Sequence, residues 1–386
     1  MMIELLILII YTILFIIYVI IKKNKELLSF SVLILSSGLV YTSSIISLLI
    51  VLGFFSYYKN INKKYIYILF FTVLTFSAHL LFQKSYNINF KEFIQINVFI
   101  LLFIYLMYNR ERINDQSRKY ILSGFVGGSI IITISLFIQA GLDLRLLQEN
   151  YNYLNISKTF NYTSIYLFFG LIAAPFKLNF SFSYKIILLG LYITVVFIFQ
   201  TRAAFILGAF FFLYLNQPIR TLYKWLVYLP LIIIIGFMIV NSSAFNPNDP
   251  NDILFSVVNF ESNTSNVERI LMISSAVESL SDNPNGWGVG MSISALKSLN
   301  FNVPHAHNLI ANWVFEYGLL GIILSILFYF ILYRMYMVNT GRYSLVVVSF
   351  IAIYSLIETL QYNILVSLTV YFALMSLSNS SRLRNV

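Results

Sequence analysis

The sequence predicts an all-α polytopic integral membrane protein, one transmembrane domain over residues 1–386 with about 12 (11 to 13) spanning helices and one large outer, periplasmic loop at residues 241–308. Three observations predict it. The chain is 59% hydrophobic and only 10% charged, where an ordinary soluble domain carries about 25% charged residues. Apolar runs approaching spanning length recur from end to end, and lipid offers no partner for a bare backbone amide, so such runs must be helical. The basic residues fall in short clusters between those runs, as the positive-inside bias requires, so the net charge of +10 reads as topology rather than affinity for nucleic acid. The absence of cysteine excludes disulfides, thiolate metal sites and cysteine nucleophiles.

The elements follow in order. Met2–Ile21 is too long and too apolar for a cleaved signal core, and no small-x-small cleavage site follows it, so it is a retained helix. Lys22, Lys23 and Lys25, and then Lys59, Lys63 and Lys64, both read as cytoplasmic. On that reading Leu27–Tyr58 crosses twice and turns near Ser36, Ser37 and Gly38; a single tilted helix there is the competing reading and reverses the side of the N-terminus. Tyr65–Phe82 runs outward, and Glu92–Tyr108 returns to Arg110, Arg112, Arg118 and Lys119. Tyr120–Ala140 leads out to a polar loop ending near Asn161, and Thr163–Phe176 comes back to Lys177 and Lys185. Ile186–Phe199 goes out, Ala203–Asn216 returns to Arg220 and Lys224, and Trp225–Val240 goes out again. After the long polar segment, Leu309–Tyr333 returns as one helix to Arg334 and Arg342, and a last pair of helices leaves Arg382 and Arg384 in the cytoplasm.

Four features stand out, all on the outer side of this topology. Arg202, in Gln200-Thr201-Arg202-Ala203-Ala204, divides two apolar runs. An arginine at membrane depth costs from about 2.5 kcal/mol upward, so it either has a task or snorkels to headgroups from a tight turn. Arg269 lies early in an amphipathic helix expected over Val267–Ser279, capped by Ser265 or Asn266, with Ile270, Ile273 and Val277 on one stripe. Such a helix start at the membrane surface offers amides and a guanidinium to a phosphate, although from spacing alone pairing with Glu268 or a solvated face is the favoured explanation. Asn283-Pro284-Asn285-Gly286-Trp287-Gly288-Val289-Gly290 repeats glycine at period two, which is not a dinucleotide fingerprint; spacing favours a packing turn. His305-Ala306-His307-Asn308 stands where the loop meets the next helix. Two histidines two apart share no helix face and bring no carboxylate or cysteine set, so zinc is poorly supported, whereas a boundary histidine can accept a proton near neutral pH. The remaining histidine, His79, reads as a packing residue.

Together these residues resemble the O-antigen ligase and Wzy-type polysaccharide polymerase superfamily. Thr201-Arg202-Ala203 is similar to its Ser/Thr-Arg-Gly/Ala motif, with alanine where glycine is common. Arg269 followed by Pro284, Gly286, Gly288 and Gly290 is similar to its Arg…Pro-x-Gly-x-Gly stretch. His307-Asn308, then Glu316, Gly318 and Gly321, resembles its His-Asn…Glu-x-Gly-x-x-Gly signature. The resemblance covers roughly Gln200 to Gly321. It implies a GT-C-like fold and a glycosyltransferase needing no metal and no cofactor. The substrates it implies are undecaprenyl-pyrophosphate-linked oligosaccharides as donor and acceptor, in the bacterial inner membrane, with the active site on the outer face. It casts Arg202 and Arg269 as pyrophosphate binders, because a guanidinium is always protonated and grips phosphate bidentately. It casts His307 as the catalytic base, oriented by Asn308 or Glu316, with His305, Gly286, Gly288 and Gly290 supporting.

Within that family the expectation is a polymerase of surface polysaccharide (O-antigen or capsule), with a chain-length regulator as a possible partner. The outer loop is modest and no extra C-terminal region resembles that of protein-glycosylating relatives. The ligase, which transfers glycan to lipid A–core in lipopolysaccharide biosynthesis, is the alternative. From a different class comes a lipid-linked oligosaccharide flippase. Transporters place ionisable groups at the midplane, often within inverted repeats, and here the polar features gather on one side. Aromatic residues make up 17% of the chain; some can stack on sugars, but interfacial belts account for most.

Overall fold

The computed structural model describes residues 32, 115–139, 160–198, 201–216, 264–288, 290–301, 303, 306–360 and 364–377. The spans expected before residue 115, Trp225–Val240, the first part of the outer loop (241–263), His305, Arg382 and Arg384 lie outside the described residues, and Arg202 is described only in its backbone. What is described is helical, without strands. The helices are α1 (Asp115–Gln139), α2 (Phe160–Leu167), a π-helical stretch (Phe168–Ala173) running into α3 (Ala174–Lys177), α4 (Phe182–Ile198) and α5 (Arg202–Leu215). The loop-bearing half adds α6 (Thr264–Asp282), α7 (Ser292–Ser298), α8 (Leu309–Tyr317), α9 (Leu319–Val338), α10 (Arg342–Ser355) and α11 (Ile364–Met375).

Two of these, α1 over Asp115–Phe137 and α9, are long and apolar enough to cross a membrane, and shorter apolar helices surround them in an integral membrane protein. The expected runs Ile186–Phe199 and Ala203–Asn216 correspond to α4 and α5 within a few residues. α1 begins five residues before the expected Tyr120, so Arg118 is drawn into its first turn, where it pairs with Asp115 at 2.6 Å. The helix expected from Thr163 begins at Phe160, which turns Asn161 from the end of a loop into part of a helix.

Inside lipid, apolar side chains gain little by leaving one apolar medium for another, so close backbone approach and dispersion hold the helices together. Gly170 in the π stretch provides one such approach: a methyl there would lie 2.0 Å from Ser129 Oγ and 2.3 Å from the Phe125 carbonyl oxygen of α1. Tyr192 of α4 lies flat on Gly208 of α5, and its hydroxyl donates to the Ala204 carbonyl at 2.6 Å. At the centre, Phe168 stacks on Phe350 of α10, with centroids 3.6 Å apart and planes 3° apart, and Phe350 in turn stacks on Tyr354 at 5.2 Å.

These contacts give the bundle two unlike ends. At one end, Lys177 at the close of α3 lies over the Tyr343 ring at the start of α10, 5.6 Å from its centroid, and feels the charges of Arg118 and Asp115 at the start of α1. Ser376, just past α11, closes the same end through a 2.7 Å hydrogen bond with the Tyr343 hydroxyl. Lys185 and Arg342 belong to this basic end as well, near the starts of α4 and α10. At the other end lie the start of α2, the start of α5 at Arg202, and the loop 356–360 after α10.

The single helix expected over Leu309–Tyr333 is instead two. Gly318 takes φ +56, and α8 folds back along α9. The return is unambiguous, because a methyl on Gly321 would lie 2.1 Å from the Trp313 carbonyl oxygen, whereas residues eight apart in one straight helix are about 12 Å apart along its axis. Trp313 also meets Phe328 edge-on at 6.1 Å. α8 is therefore a short helix that folds back along α9, its last residue at the turn and its first further along the bundle. α10, with 14 residues, rises only about 21 Å, against about 30 Å for the 20 residues of α9. Its end at Ser355 bonds Tyr329, midway along α9, at 2.8 Å. The loop after α10 thus sits recessed from the end of the bundle, at the depth from which α8 starts.

Candidate functional site

Three loops and two helices meet in that recess. Asn308 is the N-cap of α8: its side-chain oxygen accepts from the Ala311 amide at 3.0 Å, and its side-chain nitrogen donates to the Leu356 carbonyl at 2.9 Å. The cap therefore fastens the start of α8 to the loop after α10. His307, next to it, adopts φ +47, an unusual backbone for a residue with a side chain, at a cost of about 1–2 kcal/mol. The strained turn sets its Nδ1 3.4 Å from both carboxylate oxygens of Glu358. The His307 side chain is 28% exposed and that of Glu358 only 2%.

Glu358 is further held by Asn161 of α2, whose side-chain nitrogen donates to Oε1. The neighbouring Tyr162 hydroxyl lies 3.1 Å from the Thr359 carbonyl and 3.2 Å from its hydroxyl. Tyr354 donates to the Asn161 carbonyl at 2.9 Å and lies 2.7 Å from Ser164 Oγ. Arg269 of α6 completes the group: it is half-buried, its charge reaches the Tyr354 hydroxyl together with that of Glu358, and its Nε is buried with no hydrogen bond among the described residues.

Both expected orienting partners of His307 make other contacts. Asn308 spends its side chain on the cap and on Leu356. Glu316 lies on α8, fully buried, with Oε1 3.4 Å from Asn312 Nδ2, while Asn312 Oδ1 accepts from the Ala306 amide at 3.3 Å. Glu316 braces α8 from within, two turns above His307, and Glu358 holds the imidazole. Glu358 had a signal in the sequence: it is the only acidic residue after Glu316, set in a strongly apolar stretch, where an ionisable side chain is a functional hypothesis by default.

The helix around Arg269 begins at Thr264, before the expected cap residues Ser265 and Asn266, and extends to Asp282. It packs on α8 through Met272 and Ala276, while Ile270, Ile273 and Val277 are exposed. Arg269 is therefore placed by the packing of α6 against α8.

Gly286, Gly288 and Gly290 all have positive φ, at +76, +116 and +72. The first two bind the loop to the end of α8: Trp287 N–H donates to the Phe315 carbonyl at 2.7 Å and Gly288 N–H to the Glu316 carbonyl at 3.0 Å, while Leu319 N–H donates to the Pro284 carbonyl at 2.9 Å. The glycine stretch thus satisfies the terminal carbonyls of α8. Arg202 opens α5 behind an N-cap at Thr201, at the same end of the bundle. Among the described residues, no three His, Asp or Glu side chains gather as a metal ion requires.

Chemically, the recess joins an imidazole whose Nδ1 faces a buried carboxylate, leaving Nε2 to accept a proton, with a guanidinium whose Nε awaits a partner. No curated protein matches the chain. Residues 186–326 match the family described as O-antigen ligase (Wzy_C), a group of glycosyl-transferring enzymes. That segment holds Arg202, Arg269, the three glycines, His305, His307, Asn308 and Glu316, whereas Asn161 and Glu358 lie outside it. The match over this segment supports a place in the O-antigen ligase/polymerase superfamily.

Proposed function

We propose that the protein is a surface polysaccharide (O-antigen or capsule) polymerase of the bacterial inner membrane. It transfers an undecaprenyl-pyrophosphate-linked glycan onto a sugar hydroxyl of another lipid-linked repeat unit. The single observation that carries this reading is the His307–Glu358 pair in a recess shared with Arg269. In the step itself, the acceptor oxygen attacks the anomeric carbon of the donor as its proton passes to His307 Nε2. The bond from that carbon to phosphate oxygen breaks, its electron pair leaves with the lipid pyrophosphate, and the anomeric centre inverts. Glu358 keeps the Nδ1 proton on its own side and stabilises the imidazolium that forms, the part a buried carboxylate plays beside a catalytic histidine elsewhere. Arg269 and Arg202 meet the charge growing on the phosphates. No metal or cofactor is assigned a part.

The placement of the site at the end away from Arg118, Lys177, Lys185 and Arg342 supports an outer, periplasmic active site, because basic clusters stay cytoplasmic. The modest length of the loop between α5 and α9 supports the polymerase over the ligase. The test is to give purified protein in detergent only lipid-linked repeats. Longer glycans are expected; their absence, with lipid-linked repeats still translocated in vesicles, sinks the transferase in favour of a flippase. In a deletion strain a single repeat on lipid A–core is expected; unsubstituted core makes the protein the ligase.

A further inference from the structure

Asn161 comes from α2, well before the segment that matches the family, and no feature of the sequence marks it. Its surroundings fix it unusually well. Its carbonyl accepts from Ser164 Oγ at 2.7 Å and from the Tyr354 hydroxyl at 2.9 Å, and Ser164 and Tyr354 are themselves 2.7 Å apart. The next residue, Tyr162, is tied to Thr359, the neighbour of Glu358. From this fixed backbone the side-chain amide donates to Glu358 Oε1. An amide nitrogen can only donate, so the bond holds the Glu358 carboxyl oxygen that accepts it toward His307. We infer that Asn161 is a positioning residue of the transfer reaction: it keeps the Glu358 carboxylate aimed at His307 Nδ1, and so holds the imidazole with Nε2 turned to accept a proton.

The inference rests on the transfer reading above, with His307 as base. Glu358 is faced by His307 from the turn before α8, Tyr162 from α2, Tyr354 from α10, and the Arg269 charge from α6. Removing the Asn161 donor leaves one Glu358 oxygen unheld, so the carboxylate is less well aligned with His307 Nδ1 and transfer slows, while donor binding is untouched. Asn161→Asp preserves shape but replaces the donor with a second carboxylate beside the first, which disturbs the alignment more strongly.

The experiment measures kcat and KM for the purified full chain in detergent, with lipid-linked repeats as substrate. Asn161→Ala should lower kcat about tenfold, the size of one charge-assisted hydrogen bond, with donor KM unchanged. Asn161→Asp should lower it further. Wild-type kcat in Asn161→Asp overturns the inference, and so does a rise in donor KM that accounts for the loss of kcat/KM. Asn161→Ser is made alongside, and failure of all three to yield monodisperse protein also overturns it, since the residue is then structural. An inactive His307→Ala beside fully active Asn161 variants removes this inference alone; an active His307→Ala removes the base assignment, and this inference with it.

Discussion

Gly286 and Gly318 meet backbone to backbone. A methyl on Gly318 would lie 1.9 Å from the Pro284 carbonyl oxygen and 2.6 Å from the Gly286 nitrogen, and one on Gly286 would lie 2.4 Å from the Glu316 carbonyl oxygen. Both have positive φ, so any side chain is strained there whatever the space. Two motifs separate in the sequence are thus two halves of one joint, which turns the chain from α8 into α9 and holds α8 down. Gly318→Ala and Gly286→Ala should each destabilise the fold by more than the roughly 1–3 kcal/mol of ordinary overpacking, because the opposing atoms are backbone and cannot rotate away. Gly190→Ala on α4, with nothing within 4 Å of the added methyl, is the control and should be neutral or stabilising. Thermal unfolding in detergent checks both; a Gly318→Ala protein as stable as Gly190→Ala contradicts the joint.

The joint matters because it fixes the depth of His307. His307→Ala should abolish chain extension while leaving folded, inserted protein, and normal-length polymer in a complemented deletion strain would remove the catalytic role. Glu358→Gln should cost on the order of 10³-fold or more in kcat, because the new amide can donate to Nδ1 and trap the imidazole with its proton on Nε2. Glu316→Gln should instead act through stability, since Glu316 is buried on α8 and accepts from Asn312 within that helix. Turnover assays on purified variants of matched unfolding temperature separate the two acids.

The helical class and several helix ends were legible in the sequence because each depends on local composition: an apolar run bounded by a polar residue, as with Lys185 in the first turn of α4 and Asn216 just past α5. The break at Gly318 was not, because hydropathy continues unbroken from Leu309 to Tyr333 and the turn is imposed from outside, by the Pro284 carbonyl. The π stretch hides in the same way inside an apolar run, and its cause is the approach of Gly170 to Ser129 of α1. For the site, Arg269 and the His307-Asn308 motif fall together in the recess, but the partner of His307 was sought nearby in sequence. The pairing with Glu358 depends on α10 ending short of the membrane face, a matter of relative helix length that no local pattern records.

Arg269→Lys should lower kcat about 10²–10³-fold with a smaller change in donor KM, because an ammonium supplies a point charge where the growing phosphate charge calls for a planar fork. Arg202→Lys should behave alike if its side chain shares the lipid pyrophosphate. Steady-state kinetics with a lipid-linked donor read both variants. Wild-type turnover in Arg202→Lys would reduce that residue to an interfacial anchor, leaving Arg269 as the pyrophosphate group.

The absence of cysteine makes the sidedness of the site directly measurable, since any introduced thiol is the only one in the chain. Ser183, next to Lys185, lies at the basic end, and Lys297 of α7 lies beyond the outer joint; both are exposed. If the basic end is cytoplasmic, a membrane-impermeant maleimide applied to intact spheroplasts should label Lys297→Cys and spare Ser183→Cys, and lysis should make both reactive. The reverse pattern would put His307 and Glu358 on the cytoplasmic side. There the leaving pyrophosphate and the growing glycan would both be on the wrong face for a surface polysaccharide. Equal labelling before lysis would mean that α9 and its neighbours do not separate the two ends by a bilayer at all. The two thiols therefore test the premise on which the whole transfer reaction depends, without requiring substrate or turnover.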